Sequence, residues 1–154
     1  MKLPAWLGQW VPVARLLRRD SVSAFQAALE GGFLVAAADG TVDVYEHAVL
    51  RRAVHTLMES EPSEDDVTHL LASFRDRLHA DGADARCAAV GRVLATGNLA
   101  QPGLKLAAAI AYCSGGLDAR ELATMEKLAR AAGVEEQSLR FILQSVEGEV
   151  EAPG

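Results

Sequence analysis

Two short acidic segments, one in each half of the chain, carry oxygen-bearing side chains at a spacing that suits a divalent cation. In both, an Asp and a Glu stand three and six residues after a Gly, with a hydrophobic residue just before the Asp. Hard cations prefer oxygen ligands, and Ca²⁺ takes about six to eight of them. The candidate ligands are Asp39, Asp43 and Glu46 in the first turn (residues 39–46) and Ser114, Asp118 and Glu121 in the second turn (residues 114–121).

The first turn matches the later positions of an EF-hand loop. Asp39, Asp43 and Glu46 fall on the fifth, ninth and twelfth loop positions. The first and third positions fall on Val35 and Ala37, whose side chains cannot bind a metal. Each turn is therefore half of an ion loop, and two halves together would supply enough oxygens for one Ca²⁺. We predict a cation site shared by the two turns, with Ca²⁺ as the ion that fits best.

Helix capping explains much of the same pattern without a metal. Gly40 and Gly115 suit the C′ position after a helix. Asp43 with Glu46, and Asp118 with Glu121, suit the N-cap and N3 positions of a capping box. Capping does not account for Asp39, because a carboxylate at a helix C-terminus faces the negative end of the helix dipole. Both interpretations stay open at this point.

The remaining residues must form the elements that position these turns, and their pattern predicts helices. Half of the residues are hydrophobic and 5% are aromatic, with no strict alternation that would indicate a strand. Helical periodicity predicts a compact all-α globule of about seven or eight helices with an internal helix–turn–helix pseudo-repeat. Gly31-Gly32 predicts the close approach of another helix. The run from residue 104 to residue 113 is nearly continuously apolar and predicts a central helix that follows Gln101-Pro102-Gly103.

Three parts of the chain differ in composition: an amphipathic segment (residues 1–19), a helical domain (residues 20–146) and a loose acidic tail (residues 147–154). Pro12 predicts that the first segment divides into two short helices. Trp6 and Trp10 share one helical stripe near four cations, Lys2, Arg15, Arg18 and Arg19. That face suits a membrane surface or a partner protein. The alternative is that both Trp residues pack on the helical domain as an N-terminal lid.

Charge and motif content exclude several functions. The net charge is −6 and the first 19 residues contain no acid, so the rest of the chain is strongly acidic and would repel nucleic acid. The sequence has no apolar run of the roughly 18–20 residues that a membrane span needs. Cys87 and Cys113 have no metal-ligand spacing and indicate reduced residues of a cytoplasmic protein. Catalytic motifs such as G-x-S-x-G or H-E-x-x-H are absent, which predicts a non-enzymatic protein.

The residues around both turns resemble the tellurite-resistance TerB family. Residues 33–42 with Glu46 are similar to the first family signature, and residues 108–118 with Glu121, followed by residues 128–134, are similar to the second. The resemblance covers roughly residues 21–145. It implies a compact helical stress-response domain in the cytoplasm or at the inner face of a membrane, with a membrane protein of the TerC type as a partner.

The resemblance also implies divalent metal binding, with Ca²⁺ fitting best. Carried over by position, the acidic ligands are Asp39, Asp43, Glu46, Asp118 and Glu121. Ser114 departs from the family pattern, which has Asp there, and this predicts weaker or asymmetric binding by the second turn. The alternative function is a metal-independent interaction module that uses Trp6 and Trp10 to contact a protein or a membrane surface.

Overall fold

A computed structural model describes residues 3–38, 42–113, 115 and 117–151, with the side chains of all of these except residues 44, 45 and 149–151. Over these residues the chain forms helices and no strand, which confirms the predicted all-α fold. A 3-10 helix, Ala5–Trp10, comes first. The α-helices are α1 (Val11–Asp20), α2 (Val22–Ala36), α3 (Val44–Leu57), α4 (Glu64–Asp81), α5 (Ala83–Thr96), α6 (Ala100–Tyr112), α7 (Ala119–Ala131) and α8 (Glu136–Glu151).

Helices α2 and α6 form the centre of the molecule and pack on each other more extensively than any other described pair. A Cβ placed on Gly32 would lie 2.7 Å from Cγ2 of Ile110, and one on Gly31 would lie 3.4 Å from Cβ of Ala107. The absence of a side chain at these positions lets the two helices approach closely. The prediction drawn from Gly31-Gly32 is thereby confirmed. The two central helices lead directly into the two acidic turns.

Helix α6 begins earlier than the sequence predicted. Its first residue is Ala100, so Gln101-Pro102-Gly103 lies inside the helix instead of preceding it. Pro102 stands in the first turn, where a missing backbone N–H costs no helical hydrogen bond. The segment that follows is buried on nearly all sides, as an apolar run of this length requires.

The N-terminal segment packs on the domain. Pro12 lies in the first turn of α1 and separates it from the 3-10 helix, as predicted. Ser21 caps α2, with its Oγ accepting a hydrogen bond from the Ala24 N–H at 3.1 Å. Trp10 is buried at 3% exposure and belongs to the core.

Helix α8 continues to Glu151. The first part of the segment that the sequence assigned to a loose acidic tail, residues 147–151, is therefore helical. The Tyr112 hydroxyl at the end of α6 donates a hydrogen bond to Oε1 of Glu147 at 2.7 Å. Among the described residues, no helix has the length and apolar character that crossing a bilayer requires.

Candidate functional site

The first turn connects α2 to α3 and ends in an N-cap. Oδ1 of Asp43 accepts a hydrogen bond from the Glu46 N–H at 2.7 Å. Asp43 has an extended backbone, which is the conformation that an N-cap requires. On the other side of the turn, α2 ends at Ala36, and the Ala37 N–H bonds to the carbonyl of Phe33 at 2.9 Å. Helix-terminal hydrogen bonds are thus present on both sides of residues 39–41, which lie outside the described residues.

The second turn connects α6 to α7 and has a full capping box. Oδ1 of Asp118 accepts a hydrogen bond from the Glu121 N–H at 2.8 Å. In return, the Asp118 N–H donates to Oε1 of Glu121 at 3.3 Å. Asp118 and Glu121 therefore occupy the N-cap and N3 positions that the sequence predicted.

The predicted C′ position of Gly115 is wrong by one residue. Helix α6 ends at Tyr112 with Cys113 as its C-cap, so the C′ position falls on residue 114. Gly115 has φ 137°, a value that L side chains rarely adopt, and its N–H bonds to the Tyr112 carbonyl at 3.2 Å. Glycine adopts this φ without the steric penalty that a Cβ would add.

The six predicted metal ligands divide into two sets. Asp39 and Ser114 lie outside the described residues. Asp43 and Asp118 are exposed at the starts of α3 and α7, and Glu46 and Glu121 are half-buried one helical turn later. Across the described ranges, no group of three or more His, Cys, Asp or Glu side chains is arranged to hold a metal. The described part of each turn thus contributes one Asp and one Glu.

A pocket of about 660 Å³ lies beside the first turn, between α2, α3 and α4. We call it the basic pocket because four of its five described polar lining residues are Arg or His. The apolar lining residues are Phe33, Ala37, Val42, Ala48, Leu71 and Leu78. The polar lining residues are Asp43, His47, Arg51, Arg75 and His79.

The electrostatics of the basic pocket act most clearly on His47. Burial, and then the charges of Arg51 and Arg75, lower the pKa of His47 below its ordinary value. Both guanidinium groups are therefore close enough to act on the imidazole. In the described part of the chain, Arg51 forms no ion pair, and Arg75 approaches only Asp76, at 3.6 Å between largely exposed side chains.

No sequence motif marks this pocket, because three separate helices form it. The sequence does contain one indication of it, a repeated spacing of basic residues. His47 and Arg51 are four residues apart, as are Arg75 and His79, so each pair lies on one face of its helix. Which two faces meet is a property of the packing of α3 against α4 and cannot be obtained from either helix alone.

Two of the four N-terminal cations, Arg15 and Arg18, form ion pairs within the molecule. Arg15 forms a bidentate contact with Glu59, and Arg18 lies 3.2 Å from the Glu61 carboxylate. These contacts connect α1 to the segment between α3 and α4. Since Trp10 is buried and Trp6 is partly buried against the core, the segment lies on the domain as a lid. In this arrangement the two Trp residues do not form a shared exposed face.

Both cysteines are free thiols. Burial raises the pKa of Cys87 to about 11 and that of Cys113 to about 12. The thiolate is the reactive form of cysteine, so neither position favours redox or metal chemistry near neutral pH.

No protein-family model, curated protein or solved structure matches this chain. The resemblance to the TerB family therefore rests on the residues of the two turns and their flanking helices. Fold and local geometry supply the rest of the basis for a functional proposal.

Proposed function

We propose that this chain is a non-enzymatic, TerB-like stress-response protein, of the tellurite-resistance type, that binds a divalent cation through its two acidic turns. Ca²⁺ is the cation that fits best, because every candidate ligand is an oxygen. One observation supports the proposal above the others. Asp43 and Asp118 take equivalent positions at the starts of α3 and α7, each with its Oδ1 bonded to the N–H of a Glu three residues later.

Capping leaves these carboxylates able to bind a cation. Each Asp uses one oxygen for one backbone N–H, and an ionised carboxylate offers about four lone-pair sites in total. The positive ends of α3 and α7 oppose a cation at this position. The carbonyls at the C-terminal ends of α2 and α6 favour it, because they carry the negative ends of those dipoles. The most favourable cation site would therefore combine carbonyl oxygens from the C-terminal ends of α2 and α6 with carboxylates from both turns.

The proposed partner class is a membrane protein of the TerC type, and it rests on the family resemblance alone. The alternative function, docking through Trp6 and Trp10, loses support from the burial of Trp10. That function would require the N-terminal segment to leave the domain and break the contacts of Arg15 and Arg18.

Isothermal titration calorimetry with Ca²⁺, Mg²⁺ and Mn²⁺ tests the cation site, with thermal unfolding as a second measurement. A cation that binds only the folded protein stabilises it by about 2.7 kcal/mol at one hundred times its Kd. Asp43→Asn and Asp118→Asn are the informative variants, because Asn is as good an N-cap as Asp but lacks the charge. Both should fold and bind Ca²⁺ more weakly.

Asp39→Asn and Glu121→Gln extend the test to one further candidate ligand in each turn. Asp65→Asn is a suitable control, because Asp65 is an exposed acidic residue in the first turn of α4. Wild-type Ca²⁺ affinity in all four site variants would exclude a site shared by the two turns.

A further inference from the structure

We propose that the basic pocket binds an amphipathic small molecule with a single anionic head group, a carboxylate or a phosphate monoester. The pocket volume of about 660 Å³ lies within the range of roughly 300–1,000 Å³ found for small-molecule sites. This proposal does not depend on the cation site.

The floor of the pocket is apolar and belongs to the core. Phe33 and Leu71 are almost fully buried, at 3% and 1% exposure. Leu78 stands two turns after Leu71 on α4, and Ala48 of α3 faces the same space with only a methyl group. Small and apolar surfaces leave room for a hydrocarbon chain or ring. Inorganic phosphate or another small hydrophilic ion would leave this floor exposed to water.

The walls of the pocket carry two arginines, Arg51 and Arg75, in a protein whose net charge is −6. His47 and Arg51 form an i,i+4 pair on α3, and Arg75 and His79 form another on α4. Arg51 and Arg75 thus line the same space from two different helices. Guanidinium groups that face a pocket without a counter-ion suit an anionic ligand.

Neither guanidinium group is well compensated in the described part of the chain. Arg51 has no ion pair there, and the contact of Arg75 with Asp76 joins two side chains that are 60% and 74% exposed. Arginine also binds carboxylate and phosphate oxygens with two parallel hydrogen bonds, which selects for a planar or tetrahedral oxyanion.

Asp43 is the single acidic residue among the described lining residues, against the two arginines Arg51 and Arg75. It is exposed at the mouth of the pocket, where its Oδ1 bonds to the Glu46 N–H. One acid against two guanidinium groups leaves an excess of one positive charge among these side chains, which a single anionic head group balances. A single anionic head with an apolar body satisfies both the walls and the floor.

Isothermal titration calorimetry with four eight-carbon probes tests the proposal. Octanoate and octyl phosphate carry the proposed head groups, octan-1-ol is the neutral control and octylammonium the cationic control. We expect at least one anionic probe to bind about tenfold or more tightly than octan-1-ol, as one charge-assisted contact predicts. Octylammonium should bind more weakly than the alcohol. Equal binding of the anionic probes and octan-1-ol would overturn the proposal.

Variants locate the site. Arg51→Gln and Arg75→Gln should each reduce the affinity for the anionic probe several-fold and leave octan-1-ol unchanged. Arg92→Gln, at an exposed position of α5, is the matched control and should behave as the wild type. Ala48→Phe should fill the pocket and abolish binding of every probe.

Circular dichroism and thermal unfolding show which variants keep the fold. If Ala48→Phe does not fold, the two arginine variants decide the result, because they change exposed or half-buried side chains. Wild-type affinity for the anionic probe in both arginine variants would overturn the proposal. Undiminished binding by a folded Ala48→Phe protein would do so as well, since the probe would then bind elsewhere.

Discussion

Arg86 of α5 donates two parallel hydrogen bonds to Glu30 of α2, from Nε to Oε2 at 2.7 Å and from Nη2 to Oε1 at 2.9 Å. Arg77 of α4 donates a third bond to the same carboxylate at 2.9 Å. The Glu30 side chain is only 3% exposed, and it is the only buried charged residue among those described. This cluster therefore joins three helices through one desolvated carboxylate.

Loss of Arg86 should destabilise the protein strongly. Arg86→Ala leaves a buried carboxylate with a single partner, and breaking a buried ion pair costs about 3–5 kcal/mol. The measurement is the free energy of unfolding in urea. The exposed pair of Arg140 and Glu136 provides the control, because Arg140→Ala should cost about 0–1 kcal/mol.

The double variant Glu30→Met/Arg86→Met separates pairing from packing. It removes both charges, and it should restore part of the stability that Arg86→Ala loses. Two apolar side chains of similar volume can be buried without the cost of taking charged groups out of water. A double variant less stable than Arg86→Ala would contradict this account of the cluster.

The two central glycines should respond differently to alanine. At Gly32 a Cβ would lie 2.7 Å and 2.8 Å from Cγ2 and Cβ of Ile110, closer than atoms can pack. Gly32→Ala should therefore cost about 1–3 kcal/mol of unfolding free energy through overpacking. At Gly31 the nearest atom would be 3.4 Å away, and the gain of about 0.5–1 kcal/mol in helix propensity offsets the strain. Equal effects in urea denaturation would show that α2 and α6 do not meet as described.

Acidic pH should destabilise the protein through His47. Burial, with Arg51 and Arg75, holds the folded-state pKa of His47 below its unfolded value, and Asp43 and His79 are the other titratable groups in the same pocket. As the pH falls through the unfolded pKa of about 6.5, the unfolded state takes up more protons. The free energy of unfolding therefore decreases until the pH passes below the folded pKa.

The stability difference between the wild type and His47→Gln, measured from pH 5 to pH 8, isolates this contribution. As the pH is lowered, the wild type should lose stability relative to His47→Gln. NMR titration of the imidazole gives a second measurement, in which Arg51→Gln and Arg75→Gln should each raise the pKa of His47. If the wild type instead gained stability relative to His47→Gln at low pH, the folded protein would stabilise the charged form of the His47 imidazole.

The cysteines should react slowly in the folded protein. With pKa values raised to about 11 at Cys87 and about 12 at Cys113, only a minute fraction of either thiol is ionised at pH 8. Labelling by a chromogenic disulfide should be at least about 100-fold slower than in the unfolded chain. Cys87→Ala and Cys113→Ala assign the rates to each position. Rapid labelling of Cys113 in the native protein would instead indicate a reactive thiol beside the second turn.

Local chemistry determined much of the fold. Asp43 and Asp118 each begin a helix as the sequence predicted, because an N-cap side chain satisfies a backbone N–H only three residues away. Ser21 and Ser63 begin two further helices by the same rule. Apolar periodicity likewise identified the helices. The exact ends of α6 were predicted less accurately, because Pro and Gly can each occupy more than one position near a helix end. Pro102 lies in the first turn of α6 instead of before it, and Gly115 lies one residue beyond C′.

The cation-site hypothesis also came from the sequence, since the two turns repeat the same spacing of Gly, Asp and Glu. The structure adds the matched cap geometry of Asp43 and Asp118. The prediction that both turns share one ion stays a prediction, and the titrations described above test it.

Only the tertiary structure decided which faces of different helices meet. The pairing of Glu30 with Arg86, the burial of Trp10 and the convergence of Arg51 and Arg75 join residues on different elements, far apart in sequence. The physical reason is that capping and periodicity act within one or two helical turns, whereas a buried ion pair or a pocket depends on the packing of several helices at once. The acidic turns could therefore be found from the sequence, and the basic pocket beside them could not.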